Sequence, residues 1–141
     1  MADFGVRLAV WAVDESKLRM LRHAVFVLEQ GVPEEIERDD IDKDCSHVIA
    51  EDSSGTAIGC GRLLPDGHIG RMSVLREWRG RGVGTALLGR LIALATEGCY
   101  RRVMANAQEH ACSFYQRHGF TAVGEPFSEA GIVHRAMERA L

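Results

Sequence analysis

Arg79-Gly80-Arg81-Gly82-Val83-Gly84-Thr85 is the stretch on which the reading of this chain turns. It lies between a strand-like run, Ile69 to Leu75, and a strongly helical run, Ala86 to Glu97. Glycine at alternate positions lets the backbone turn tightly and approach a ligand closely. The turn opens directly into a helix, whose first N–H groups have no internal partner and carry partial positive charge. Such a loop is an anion cradle, suited above all to phosphate. Arg79 and Arg81 add positive charge at the same place.

Three templates compete for the ligand. The ATP or GTP loop needs Gly-x4-Gly-Lys-Ser/Thr, but Gly84 is followed by Thr85 and Ala86, with no lysine nearby. The dinucleotide loop needs Gly-x-Gly-x-x-Gly. Counted from Gly80 the third glycine falls on Thr85, and counted from Gly82 it falls on Leu87. What fits is Arg-x-x-Gly-x-Gly, at Arg79, Gly82 and Gly84. This resembles the acetyl-CoA pyrophosphate loop of the GNAT superfamily of N-acetyltransferases. The preceding Ile69-Gly70-Arg71-Met72-Ser73-Val74 resembles that family's strand into the loop. On the loop alone, an ordinary solvated turn rich in glycine and arginine remains the competing reading.

The chain's 141 residues favour one domain, 1–141, and 46% hydrophobic residues suffice for a single core. A net charge of −3 argues against a general nucleic-acid or membrane-surface binder, since either wants a basic excess. Met1-Ala2-Asp3-Phe4-Gly5 lacks the basic and apolar segments of a signal peptide, and no apolar run reaches membrane-spanning length. Cys45, Cys60, Cys99 and Cys112 include no Cys-x-x-Cys pair, which favours free thiols and a cytoplasmic location. The spacing of the cysteines with His47, His68, His110 and His118 does not suggest zinc, so no metal is expected.

Val6 to Val13 reads as a strand. Asp14 can cap the next helix, whose Leu18, Leu21, Val25 and Leu28 form one apolar stripe ending near Gln30-Gly31. Glu34 to Asp44 is intensely acidic. It is either a solvated turn or short helix, the usual fate of a charge run, or a lining of the acceptor site that would attract a cationic amine. Its spacing does not match a calcium-binding loop. Cys45 to Glu51 and Thr56 to Leu64 form a hairpin through Asp52-Ser53-Ser54-Gly55, and Pro65-Asp66-Gly67 turns into His68 to Leu75. After the glycine loop come a helix to Glu97, a strand Arg102 to Ala107 and a short helix Glu109 to His118. Strands Phe120 to Val123 and Ile132 to Met137 close the chain. The order, β-α-α-β-β-β-α-β-α-β-β with the acidic segment as the second helix, describes one α/β domain with a mixed, largely antiparallel sheet. It resembles the GNAT fold over nearly the whole chain.

A second motif supports the resemblance. Family members commonly carry Asn at the end of the strand after the CoA helix, then Phe-Tyr-x-x-x-Gly-Phe; here these are Asn106, Phe114-Tyr115 and Gly119-Phe120. Val25-Phe26-Val27-x-Glu29-Gln30 and Gly131-Ile132-Val133-His134 resemble the ElaA-like subgroup. The resemblance implies acetyl-CoA as co-substrate and a small-molecule or peptide amine as acceptor, and it raises a homodimer as the assembly.

It also implies roles. Backbone N–H groups from Arg81 through Gly82 and Val83 to Gly84, with the Thr85 hydroxyl, would hold the pyrophosphate, and Arg79 and Gly80 belong to the same cofactor-binding loop. Backbone groups of Met72, Ser73 and Val74, and the Asn106 amide, would hold the pantetheine arm. One of the strand N–H groups could also polarise the thioester carbonyl. Tyr115 would donate to the leaving thiolate. Phenols titrate near about 10 and thiols near about 8.5, so full transfer is uphill without help from the site. The alternative for Tyr115 is a packed aromatic on an amphipathic helix. Glu29 and His134 are candidates for the base that takes the amine proton, with water as a relay. Cys112 has no visible base partner, which favours direct attack without a covalent enzyme intermediate. A non-catalytic CoA-binding module would keep the cradle and need no proton donor. A phosphate-ligand protein unrelated to CoA is disfavoured by the second motif.

Overall fold

The computed structural model describes residues 3–141. Met1 and Ala2, part of the expected domain and of the segment read for a leader, lie outside the described residues. Seven strands form one sheet: β1 (Phe4–Ala9), β2 (Ser46–Asp52), β3 (Ala57–Leu63), β4 (His68–Val74), β5 (Arg102–Gln108), β6 (Thr121–Glu129) and β7 (Ile132–Ala140). Their spatial order is β1-β2-β3-β4-β5-β7-β6. Every neighbouring pair is antiparallel except β4 and β5. The helices are α1 (Trp11–Arg22), continuing as a π-helix over His23–Glu29, then α2 (Glu34–Glu37), α3 (Val83–Glu97) and α4 (Cys112–Arg117). The element order is the one expected from the sequence.

Alternation along β2 sends Val48 and Ala50 to one face and Ile49 to the other. The first pair packs with Leu87, Leu88 and Leu91 of α3; Ile49 packs with Leu18 and Leu21 of α1. Each buried leucine contributes about 1.5–3 kcal/mol. Gly59 and Gly61 let α3 approach β3: a Cβ on Gly59 would meet Leu87 at 3.0 Å, and one on Gly61 would meet Leu91 at 2.9 Å.

Beyond shifts at some element ends, four features depart from the sequence reading for local reasons. The first strand stops at Ala9, because Asp14 anchors the helix from inside its first turn. Its carboxylate accepts the Val10 N–H at 2.9 Å and two bonds from Arg7, so helix begins at Trp11 and Val13 points to solvent. The π-helix turns less per residue than an α-helix, with Gln30 N–H donating to Val25 C=O at 3.1 Å. The apolar stripe therefore drifts off the core, and Leu28 is 72% exposed. Helix α3 starts at Val83, because Gly82 at φ +85° supplies its left-handed entry. Strand β6 continues past Gly124 and Pro126, which its irregularity between Val123 and Phe127 absorbs. It lies at the sheet's edge, where proline's missing N–H breaks no ladder.

The parallel pair positions the site. Strands β4 and β5 pair only at His68–Met104 and Ile69–Ala105. Beyond Ile69 they diverge, and the edge of Gly70–Val74 that faces β5 has no strand partner among the described residues.

Candidate active site

The divergence opens a cleft of about 980 Å³, with β4, the glycine loop, β5, α4 and the π-helix as its walls. At one end lies the glycine loop. No hydrogen bond uses the N–H groups of residues 80–85 among the described residues; the first helical bond runs from Ala86 to the Gly82 carbonyl. Gly80 and Gly82 sit at φ +77° and +85°, and a Cβ on either would enter open space. Converging, unpaired donors with room in front of them suit a diphosphate. Thr85 Oγ1 lies 3.3 Å from His118 Nε2 at the same mouth.

The arginines are held more firmly than the motif alone suggests. Arg79 makes a bidentate pair with Glu29, at 2.6 and 2.7 Å, and its Nε donates to the Val74 carbonyl at 3.0 Å. Arg81 stacks on Trp78, 4.8 Å from the ring centroid. The side chains of Ser73 and Arg81 do not line the cleft, whereas Met72, Val74, Arg79, Val83 and Thr85 do. Ser73 is buried on the far side of β4, with its hydroxyl on the Arg71 carbonyl.

Tyr115 and Asn106 also line the cleft. Asn106 is exposed on β5, and its amide has no partner among the described residues. Tyr115 is buried beneath the Phe114 and Phe120 rings, and burial, with Cys112 nearby, pushes its phenol up to about 12. It therefore stays protonated at neutral pH. Against a thiol near 8.5, complete transfer is uphill by roughly 5 kcal/mol, so its chemistry is hydrogen-bond donation. His134 is buried at the cleft's other end, stacked on Phe127. Its Nδ1 lies 2.7 Å from the Ile132 carbonyl, an acceptor only, so Nδ1 carries a proton, and in the neutral ring the lone pair is on Nε2. Glu29 lines the same cleft, and hydrogen bonds from Arg79 hold its carboxyl below the usual range. All three candidate catalytic residues thus border one cavity.

The acidic segment forms the short helix α2 and following turns, with Glu34, Glu35, Asp40 and Asp44 exposed as expected, but Glu37, Asp39 and Asp42 turn inward. Glu37 and Asp42 are buried and neutralise Arg22, which is itself buried. Asp42 also meets Arg62 at 2.8 Å, and Asp39 binds Arg62 through both oxygens. Buried guanidinium groups require such partners. These carboxylates are consumed inside the molecule and supply no general attraction for a cation. Their arginines come from α1 and β3, far away in sequence, and no spacing rule announces that.

Three other features carry no local signature. Gln30 and Gln108 exchange amide hydrogen bonds, at 3.2 and 2.7 Å, across the cleft. A second cavity of about 270 Å³ adjoins the first. Arg71, at a bulge in β4 with φ +50°, borders both. Its unusual conformation is the one trait that could have drawn notice, and it is visible only in three dimensions.

The chain is similar in sequence and fold to known proteins. Residues 12–141 match the family model for the acetyltransferase (GNAT) domain. The uncharacterized N-acetyltransferase YjcF of Bacillus subtilis is 35% identical over 136 residues, covering 92% of this chain and 96% of that protein. ElaA of Escherichia coli is 34% identical over 86% of this chain and 84% of its own length. Its crystal structure superposes with a TM-score of 0.81 over 96% of this chain and 99% of that one. An acyl-CoA N-acyltransferase from Pseudomonas aeruginosa is 32% identical and superposes with a TM-score of 0.86, over 97% of this chain and 99% of that one. With the family model spanning nearly all of the sheet and both walls of the cleft, the chain belongs to the GNAT acetyltransferase family.

Proposed function

We propose that this enzyme transfers an acetyl group from acetyl-CoA to a primary amine by direct attack. The observation that carries the reading is the row of unpaired N–H groups at residues 80–85, opening onto the unpaired edge of β4. The diphosphate binds the loop, with Thr85 at its rim. Backbone groups of Met72, Ser73 and Val74 bind the pantetheine amides as a missing strand would, and Asn106 binds the same arm from β5. Arg79 must then release the Val74 carbonyl or share it.

In the reaction the amine nitrogen attacks the thioester carbonyl carbon. A C–N bond forms and the C–S bond breaks. The proton lost from nitrogen passes to His134 Nε2, directly or through water, and Tyr115 donates a hydrogen bond to the departing thiolate sulfur. Glu29 faces the same space but is bound by Arg79, so it acts as a base less readily than His134. Holding amine and thioester together supplies much of the rate enhancement.

The test is a thiol-release assay with acetyl-CoA and a broad panel of amines, with acetylated products identified by mass. The reading expects amine-dependent thiol release and acetylated amine in equal amounts. Acetyl-CoA binding without release for any amine would favour the non-catalytic CoA-binding module.

A further inference from the structure

The two cavities share five lining residues: Phe26, Arg71, Gln108, Glu129 and His134. The smaller cavity adds apolar walls from Val32, Ile36 and Ile132. Its volume of about 270 Å³ suits a small molecule better than a length of peptide.

Arg71 is the cation at this junction. Its Nε donates to the Glu37 carbonyl at 3.3 Å, and its Nη2 reaches the Ile36 carbonyl at 3.5 Å and Asp39 at 3.2 Å. Nη1 has no partner among the described residues. Asp39 does not depend on Arg71, since Arg62 already occupies both its oxygens at 2.8–2.9 Å. The side chain is 28% exposed and borders both cavities. Burial and the neighbouring Arg62 push its pKa down, against the opposing pull of Asp39 and Glu37. On β7 and β6, His134 Nε2 and Glu129, 3.7 Å apart, offer the opposite polarity. The φ of +50° at Arg71 is uncommon for a residue with a side chain, and such conformations persist where the surroundings enforce them.

We propose that the acceptor is a small zwitterionic amine, with a carboxylate close to its amino group, and that Arg71 Nη1 binds that carboxylate. This rests on the N-acetyltransferase reading above. The amino group then lies at the junction, towards His134 and Glu129, and the remainder of the acceptor occupies the smaller cavity, against Val32, Ile36 and Ile132 and with Glu37 in its wall. A bare cationic amine would leave Arg71 Nη1 without a partner, which a carboxylate supplies.

The experiment compares amino acids with two partners each, the decarboxylated amine and the carboxamide, in the thiol-release assay. For at least one set, kcat/KM for the amino acid should exceed that of both partners by roughly ten- to a hundredfold, the worth of a charge-assisted hydrogen bond. In Arg71→Gln that preference should collapse, while the Kd for acetyl-CoA stays at the parent value. The carboxylic acid lacking the amine should compete with the amino acid in the parent enzyme and not in the variant. If Arg71→Gln does not fold, Arg71→Lys, which keeps charge but loses the fork, should still lose about threefold or more of the preference. Equal or better rates with carboxylate-free amines, failure to acetylate any zwitterion, or undiminished preference in the folded variants would overturn the proposal. Absence of both acetyl-CoA binding and thiol release would instead sink the N-acetyltransferase reading.

Discussion

The two ends of the cleft are built differently. The glycine-loop end is made of backbone: unpaired N–H groups at residues 80–85 and the free edge of β4. The other end is made of side chains gathered from distant parts of the chain: Gln30 just past the π-helix, Arg71 from β4, Gln108 from β5 and His134 from β7. A backbone site tolerates change in most side chains but not at the glycines that set its shape. A side-chain site changes its preference with single substitutions and leaves the scaffold intact. One fold can thereby hold a common donor and exchange acceptors.

The largest expected effect tests the backbone end. Gly82→Asp puts a carboxylate into the open space before the donors, in a conformation that disfavours any Cβ. Acetyl-CoA affinity should fall at least about a hundredfold, as expected for like charges brought together in a binding site. Unchanged affinity in a folded variant, measured by calorimetry, would remove the loop from the binding site.

The next concerns the scaffold behind the acceptor end. Asp42→Ala strands Arg22 and part of Arg62 without their shared carboxylate. Urea denaturation should show a loss of about 3–5 kcal/mol, the usual cost of breaking a buried ion pair. A loss below about 1 kcal/mol would mean that water already serves this cluster.

Tyr115→Phe sharpens the contrast in another way, since it keeps the ring and removes only the donor. Turnover at saturating substrates should drop by about a hundredfold, as for loss of one donor to developing charge. Acetyl-CoA affinity should hold, and an unaltered kcat would leave Tyr115 as a packing residue.

The smallest effect lies outside the cleft. Hydrogen bonds from Arg7 hold the carboxyls of Asp14 and Glu51 down at about 2, with Lys17 assisting on Glu51. The unfolded chain, with ordinary carboxyl values, binds more protons between about pH 5 and 2, so stability drops as pH falls through that window. The Tm measured across it should decline, and Glu51→Gln should flatten the decline. An identical slope in the variant would contradict the assignment.

The same contrast explains what the sequence disclosed. The loop's shape was legible because the positive φ at Gly80 and Gly82 is written locally as glycine. The motif that singled out Tyr115 and Asn106 has a short, fixed spacing, and both residues line the cleft. The strands were legible from alternation, except where Asp14 and Pro126 act in ways only their neighbours define. Glu37, Asp39 and Asp42 looked like a solvated run because their partners, Arg22, Arg62 and Arg71, come from three other elements. The exposure of Leu28 depends on a π-helical turn, which α-helical periodicity does not anticipate. Gln30 and Gln108 meet across 78 positions of sequence.

The central claim is that the glycine loop and the free edge of β4 form a binding site for acetyl-CoA. Its most direct test is calorimetric titration of the purified protein with acetyl-CoA, with ATP and NAD as controls. The account predicts selective binding of acetyl-CoA with micromolar affinity, lost in Gly82→Asp. Absence of binding, or preference for ATP or NAD, would contradict it and remove the ground beneath the assignments to Tyr115, His134 and Arg71.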